Sequence, residues 1–164
     1  KLFSFLAYKS KLNIEKDFNG QRQKVVIPQG RAEQSFTQLP IGEVAQFTGD
    51  EVEIALVDIA HARSGDKGNH SNIGVIARQP KFLPWIRANL TDENVTKYMQ
   101  HVLNPETSII IRYEIEGLNA LNILLENALG GGGIASLRID PQGKAFAQQL
   151  LDMPVKVPQG LTGN

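Results

Sequence analysis

The chain has 164 residues, of which 41% are hydrophobic and 21% charged, a composition typical of one globular domain with a short appendage. Its 17 basic and 17 acidic residues cancel, which argues against a nucleic-acid-binding protein that relies on a broad basic surface. Cysteine is absent, so disulfides, thiolate catalysis and cysteine-ligated metals are excluded. No apolar run approaches the ~20 residues that span a bilayer, and no secretory signal is evident. We therefore expect a cytoplasmic protein with neither membrane nor nucleic-acid partners.

The first 50 residues differ from the rest of the chain. They are rich in glutamine, lack a sustained amphipathic period and contain one short β-like run at 25–27. Glycine and proline interrupt them at Gly20, Pro28, Gly30, Pro40 and Gly42. We interpret residues 1–50 as a linker or arm, residues 51–156 as the folded domain and residues 157–164 as a tail. Because the first residue is lysine rather than methionine, we expect the chain to be part of a longer protein.

The domain begins with strand-like and helix-like patterns in clear succession. Apolar runs predict strands at 52–59 and 73–77, with a polar segment between them at the edge of a sheet. Thr91 is expected to cap a helix, because acidic residues occupy the first turn and apolar residues then follow a helical period. Strict alternation predicts a further strand at 109–116.

In the last third of the domain, the sequence pattern predicts a helix at 118–129, a strand at 134–139 and a final helix that starts at 140. Four glycines at 130–133 fit a helix stop, and their number points to backbone lying close to a ligand or a neighbouring subunit. The order β-β-α-β-α-β-α predicts an α+β fold, in which a mostly four-stranded sheet carries helices on one face. Strand order stays open at this point.

The polar segment at 61–72 concentrates the chemically capable side chains. In one interpretation it forms an anion site, where Gly65 and Gly68 expose backbone N–H groups and Arg63 and Lys67 supply charge. In the other it is a tight strand connection whose small polar residues bond to the local backbone. The full candidate set for binding an anionic substrate is Arg63, Ser64, Gly65, Lys67, Gly68, Asn72, Asn122, Gly131 and Gly132.

The candidate catalytic residues are His61, Asp66 and His70. One histidine would move a proton while the Asp66 carboxylate orients it. The alternative is that both histidines are simply hydrogen-bonded or exposed. Their spacing matches no metal-ligand pattern, and no Gly-x-Ser-x-Gly sequence marks a serine nucleophile, so we expect neither a metal nor another cofactor.

Three separated motifs resemble the C-terminal domain of the AtuA-type proteins of acyclic terpene utilisation. They are HARSGDKG at 61–68 with NIGVIAR at 72–78, LNILL at 121–125 leading to ALGGG at 128–132, and SLRIDPQGK at 136–144. The likeness covers roughly residues 52–156. It implies a ferredoxin-like fold, a role in degrading branched terpenoids such as citronellol and geraniol or related acyl compounds, and a larger N-terminal domain that residues 1–50 would connect.

The resemblance leaves two kinds of function open. The first is a substrate-binding module of a catabolic enzyme, whose ligand is a small anionic acyl compound such as a coenzyme A thioester. The second is a non-catalytic module that clamps the N-terminal AtuA-type domain or dimerises through an exposed sheet face. We favour the first and expect a homo-oligomer. Contact of the polar segment and the four glycines with the same cavity would favour the substrate-binding module.

Overall fold

The computed structural model describes residue 5 and residues 7–28, 30–32, 35 and 37–161. Parts of the expected arm and tail lie outside the described residues. The chain divides into two compact units, Lys1–Thr37 and Gln38–Asn164.

The first unit contains an antiparallel hairpin formed by β1 (Glu15–Phe18) and β2 (Gln21–Lys24). Asn19 and Gly20 form its turn with φ values of 51° and 79°. Asn-Gly is the favoured sequence for such a turn, because both positions need positive φ. The β-like run at 25–27 lies just after β2 and outside both strands.

The second unit contains six strands and three α-helices among its described residues. In chain order they are β3 (Glu51–Ala55), β4 (Ala60–Lys67), β5 (His70–Ala77), α1 (Leu83–Asn89), α2 (Asp92–Met99), β6 (Ile110–Ile115), β7 (Ala120–Leu125), α3 (Phe146–Leu151) and β8 (Pro154–Pro158). Four strands form an antiparallel sheet in the order β4-β5-β7-β6, while β3 pairs with β8 in a separate two-stranded sheet. The predicted α+β, ferredoxin-like architecture is confirmed.

The centre of the sheet is a split strand–helix–strand unit. Strands β5 and β6 run in the same direction, since each is antiparallel to β7, which lies between them. The connection from β5 to β6 passes through α1 and α2, as in ferredoxin-like folds. Strand β8 continues to Pro158, opposite Glu51, so the chain segments that bracket the domain pair with each other.

One face of the four-stranded sheet carries the core. Alternate residues of a strand point to opposite faces, so Ile73 and Val75 of β5 share this inner face with Leu121 and Ile123 of β7. All four are fully buried. Helices α2 and α3 contact strands of the same sheet. The buried apolar residues of the three helices are Leu83, Ile86, Val95, Met99, Phe146, Ala147 and Leu150. The helices therefore cover the inner face.

A buried ion pair ties α1 to the sheet. The Arg87 guanidinium binds both carboxylate oxygens of Glu114, with an Nη2–Oε2 distance of 2.7 Å. The two side chains are only 13% and 8% exposed. Arg112 donates from Nη1 to the carbonyls of Arg87 and Leu90, which satisfies acceptors at the C-terminal end of the helix.

The α2 helix agrees with its prediction. Thr91 is its N-cap, and its side-chain oxygen accepts a hydrogen bond from the Asn94 N–H at 3.1 Å. Val95 and Met99 face the core. The helix ends at Met99, and the residues that follow form turns.

The predicted helix at 118–129 is wrong, because its central part is β7. Leucine, alanine and glutamate favour helices, yet this segment is paired on both sides, with β5 and with β6. Gly117 and Asn119 have positive φ values of 79° and 32°, which lets the chain reverse between β6 and β7. Tertiary pairing has overridden the local preference.

The predictions for 134–144 are also wrong. The expected strand at 134–139 is a series of turns, in which the Leu137 and Ile139 side chains are fully exposed. The last helix begins at Phe146 rather than at 140. The Asp140 carboxylate does accept backbone N–H groups, but those of Lys144 and Ala145, at 2.9 and 2.8 Å, and it thereby closes a turn before α3.

The polar segment is a hairpin rather than a loop between two strands. Residues 61–67 belong to β4, residues 70–72 begin β5, and Gly68 and Asn69 form the turn. Gly68 has a φ of 67°, whereas Gly65 lies in regular strand. The sequence pattern did not indicate β4 as a strand, because its inward-facing positions carry small or polar residues, among them Ser64, instead of large apolar ones.

Candidate functional site

The hairpin places a row of cationic and small residues on the outer face of the four-stranded sheet. Arg63, Gly65 and Lys67 occupy alternate positions of β4 and therefore share that face. Four strand residues span about 13 Å, so the two long cationic side chains flank the glycine between them. Across the ladder, Arg63 pairs with Gly74 and Gly65 pairs with Asn72.

A cavity of about 280 Å³ lies along this row. Its lining residues are Arg63, Ser64, Gly65, Lys67, Asn72, Gly74 and Lys144. The structure thus brings five of the predicted anion-binding residues together and adds Gly74 and Lys144, which sequence reasoning missed. Both additions lie within the motifs that carry the family resemblance, so the signal was present.

Lys144 reaches the cavity because Ser64 fixes the backbone beside it. The Ser64 hydroxyl donates to the Lys144 carbonyl at 3.1 Å and accepts from the Ala147 N–H at 2.9 Å. The Lys144 ammonium then extends over Gly65, where an added Cβ would lie 3.2 Å from Nζ. Ser64 is only 6% exposed, so its hydroxyl is committed to these two bonds.

A second cavity, of about 250 Å³, adjoins the first and is mainly apolar. Its lining residues are His61, Ala62, Arg63, Gly74, Val75, Ile76, Ile115, Leu118, Ala120 and Leu121. Arg63 and Gly74 line both cavities. We call the two cavities together the trough; one end is cationic, the other apolar, and Arg63 stands between them.

Asn122 lies beside Asn72, although it belongs to a strand and not to the predicted helix. The Asn72 side-chain amide donates to Asn122 Oδ1 at 2.8 Å. This bond joins β5 and β7 on the outer face, next to the cationic cavity. The predicted proximity of the two asparagines to the site therefore arises from sheet pairing.

The four glycines contact the tip of the hairpin. The Gly131 N–H donates to Asn69 Oδ1 at 2.6 Å, and the Leu129 N–H donates to the Asn69 carbonyl at 3.0 Å. A Cβ on Gly132 would lie 2.7 Å from the Gly68 carbonyl oxygen, so glycine is needed for this close approach. Gly68, Gly131 and Gly132 thus hold the hairpin in place, and the lining of the trough comes from other residues.

The candidate catalytic residues point to separate partners. His70 Nδ1 accepts the Asn127 N–H at 3.0 Å, and His61 Nε2 lies 3.2 Å from Arg78 Nη1. Asp66 Oδ1 lies 3.9 Å from Lys144 Nζ. Asp66 also faces away from His61, since their positions in β4 differ by an odd number. Of the three predicted residues, His61 lines the trough.

The described part of the chain contains no group of three or more His, Cys, Asp or Glu side chains arranged to hold a metal ion. Within that same part, no helix has the length and apolar character needed to cross a membrane.

The fold and the trough define an α+β domain with helices on one sheet face and a cavity-bearing, open opposite face. Residues 54–156, more than half of the chain, match the family of AtuA ferredoxin-like domains. The chain belongs to this family. No curated protein and no solved structure matches the chain.

Proposed function

We propose that this domain is the substrate-binding module of an AtuA-like protein that degrades acyclic terpenes or related branched acyl compounds. One observation carries the proposal: the cationic and apolar cavities share Arg63 and Gly74. A ligand with an anionic head and a branched hydrocarbon tail matches that arrangement, because the head can bind Arg63 while the tail lies against Ile76, Ile115 and Leu118.

Arg63 is the anchor of the head group in this proposal. Its guanidinium has no ion pair or hydrogen bond to any other residue within 7–28, 30–32, 35 and 37–161. An arginine fork binds a carboxylate through two parallel hydrogen bonds, which gives orientation as well as affinity. The two cavities together reach the range of about 300–1,000 Å³ that small-molecule sites occupy.

The chemistry would be completed by the larger N-terminal AtuA-type domain, which residues 1–50 would connect to this one. Within the trough, His61 is placed at the apolar end and is the residue able to exchange a proton with a bound acyl group. The backbone and the cations would position the substrate, and the reacting groups would come largely from the partner domain.

Ligand-dependent thermal stabilisation tests the proposal. Citronellate and citronellyl-coenzyme A should each raise the melting temperature of the wild-type chain, because a ligand that binds the native state stabilises it. Arg63→Ala should melt at the wild-type temperature without ligand and lose the ligand-induced rise. The matched control is Arg22→Ala, which removes an exposed arginine from a strand of the first unit and should retain the full response.

Three other outcomes of this experiment would contradict the proposal. An Arg63→Ala variant that keeps the wild-type response shows that the trough is not the site, and one that unfolds shows that Arg63 is structural. Failure of the wild-type chain to respond to either ligand removes the proposal.

The assembly module is the second candidate, and exposed apolar side chains favour it. Ile76 and Leu118, which line the apolar cavity, are 51% and 60% exposed. If this face joins two copies, Leu118→Gln should convert a dimer to a monomer in sedimentation equilibrium. If the face binds substrate, the mass should stay unchanged while the affinity for citronellate falls.

A further inference from the structure

The cationic end of the trough holds more positive charge than a carboxylate needs. Arg63, Lys67 and Lys144 line it, and the nearby carboxylate is Asp66, whose Oδ1 lies 3.9 Å from Lys144 Nζ. The Lys67 ammonium donates to the Asp66 backbone carbonyl, which carries no net charge. Within the part of the chain that the structure describes, Arg63 and Lys67 have no ion pair, so two positive charges there lack a compensating negative charge.

We propose that Arg63, Lys67 and Lys144 recognise a phosphate monoester, so that the head group of the ligand is a dianion rather than a carboxylate; this rests on the function proposed above. A phosphate monoester carries a charge of about −1.5 to −2 at neutral pH and presents three strong acceptor oxygens. The cationic cavity offers three cationic side chains, one for each of these oxygens. A carboxylate is satisfied by Arg63 alone and leaves Lys67 without a negative charge, because Asp66 already lies beside Lys144.

The local backbone supports this geometry. Gly65 and Gly74 have no side chains, so the floor between the cations stays open to a bulky tetrahedral group. An added Cβ on Gly65 would lie 3.2 Å from Lys144 Nζ, which shows how closely this lysine approaches the floor. Ser64 holds the Lys144 backbone from the buried side, so the point from which the third cationic side chain extends is fixed before any ligand arrives.

The phosphate can come from two sources. It can be joined directly to the branched chain, as in a phosphorylated terpenol, or it can be the ribose phosphate of coenzyme A. Arg63 lines both cavities. A ligand whose phosphate is joined directly to its branched chain can therefore place the phosphate in the cationic cavity and the chain in the apolar one.

Isothermal titration calorimetry of the full chain separates these possibilities with four ligands. Citronellyl phosphate is compared with its methyl diester, which has one negative charge, and with citronellate and coenzyme A. The monoester should bind about tenfold or more tightly than the diester and citronellate, since it adds a charge-assisted hydrogen bond. Coenzyme A binding as tightly as citronellyl phosphate identifies the nucleotide as the source, and weaker binding identifies the phosphorylated terpenol.

Two matched lysine variants complete the test. Lys144→Gln should lower the affinity for the monoester far more than the affinity for citronellate, so that most of the preference for the monoester is lost. Lys156→Gln is the control, because Lys156 also lies 3.9 Å from a carboxylate and its side chain is similarly exposed, at 64% against 55%. This control should keep the wild-type preference.

Equal affinities for the monoester and the diester overturn this inference, as does a preference that survives Lys144→Gln. If citronellate still binds in either case, the substrate-binding function stands without the phosphate. If none of the branched ligands binds, both proposals fail.

Discussion

Replacement of Ser64 by alanine separates a structural role from a direct ligand contact. The hydroxyl bridges β4 to the start of α3, accepting from the Ala147 N–H and donating to the Lys144 carbonyl. Ala147 is fully buried, so Ser64→Ala leaves a buried donor without its partner, which costs about 1–3 kcal/mol. For a unit of this size each kcal/mol corresponds to about 4 °C, so the melting temperature should fall by roughly 4–12 °C.

Ser71→Ala is the matched comparison in the same thermal melts. Ser71 is also fully buried, but its hydroxyl makes one bond, to the Gly65 carbonyl at 3.2 Å. Its loss should cost about 1 kcal/mol and therefore less than that of Ser64. If Ser64→Ala melts at the wild-type temperature yet loses the response to citronellate, the hydroxyl contacts the ligand directly and the bridging role is refuted.

Three further variants test the fold. Gly132→Ala should lower the melting temperature by several degrees. The new Cβ would lie 2.7 Å from the Gly68 carbonyl oxygen, and a residue with a side chain at a φ of 87° is strained by about 1–3 kcal/mol. An unchanged melting temperature would contradict the close approach. Glu114→Gln should cost about 3–5 kcal/mol in urea unfolding because it leaves Arg87 buried without its carboxylate, and a small loss would show that water reaches the pair. Burial raises the pKa of Tyr98 above 10.0, so its stabilising effect is complete below pH 10.0 and is lost as the pH rises through the folded-state pKa. Tyr98→Phe should make the free energy of unfolding less dependent on pH in that alkaline window, and an unchanged slope rules this out.

The fold class was predictable because buried and exposed residues alternate in the sequence with the periods of strands and helices. The alternation in β6 and the capped, amphipathic α2 were both recognisable. The strand β7 was not, since its leucines and alanine suit a helix and its pairing with two other strands depends on residues far away in the chain. Gly117 and Asn119, which form the turn before it, were the available local signal.

The sequence indicated which residues of the 61–72 segment to consider but not how they are arranged. The polar density of this segment drew attention to Arg63 and Lys67, which line one cavity, and their role in binding stays a prediction. Lys144 joins them only because α3 packs against β4, a contact between residues about 80 positions apart. A sequence pattern carries no information on such a contact unless a family resemblance supplies it.

The four glycines at 130–133 also have a contact partner that the sequence did not reveal. Their number at 130–133 predicted backbone close to a ligand or a neighbouring subunit, whereas the observed partner is the hairpin tip of the same chain, reached through Asn69 and Gly68. The polar segment and the glycines meet at the turn but not at one cavity, so the condition that would have favoured the substrate-binding module is not fulfilled.

The most direct measurement of the central claim is the affinity of Gly74→Val for citronellate. Gly74 lies in regular strand. Among the described residues, the atom that an added Cβ would approach within 4 Å is the Arg63 carbonyl oxygen, at 3.9 Å, so valine fits the backbone and suits a strand. Its side chain would occupy the junction between the cationic and apolar cavities. We predict a melting temperature equal to or above that of the wild-type chain together with loss of citronellate binding in calorimetry. Wild-type affinity in the folded Gly74→Val variant would contradict binding in the trough.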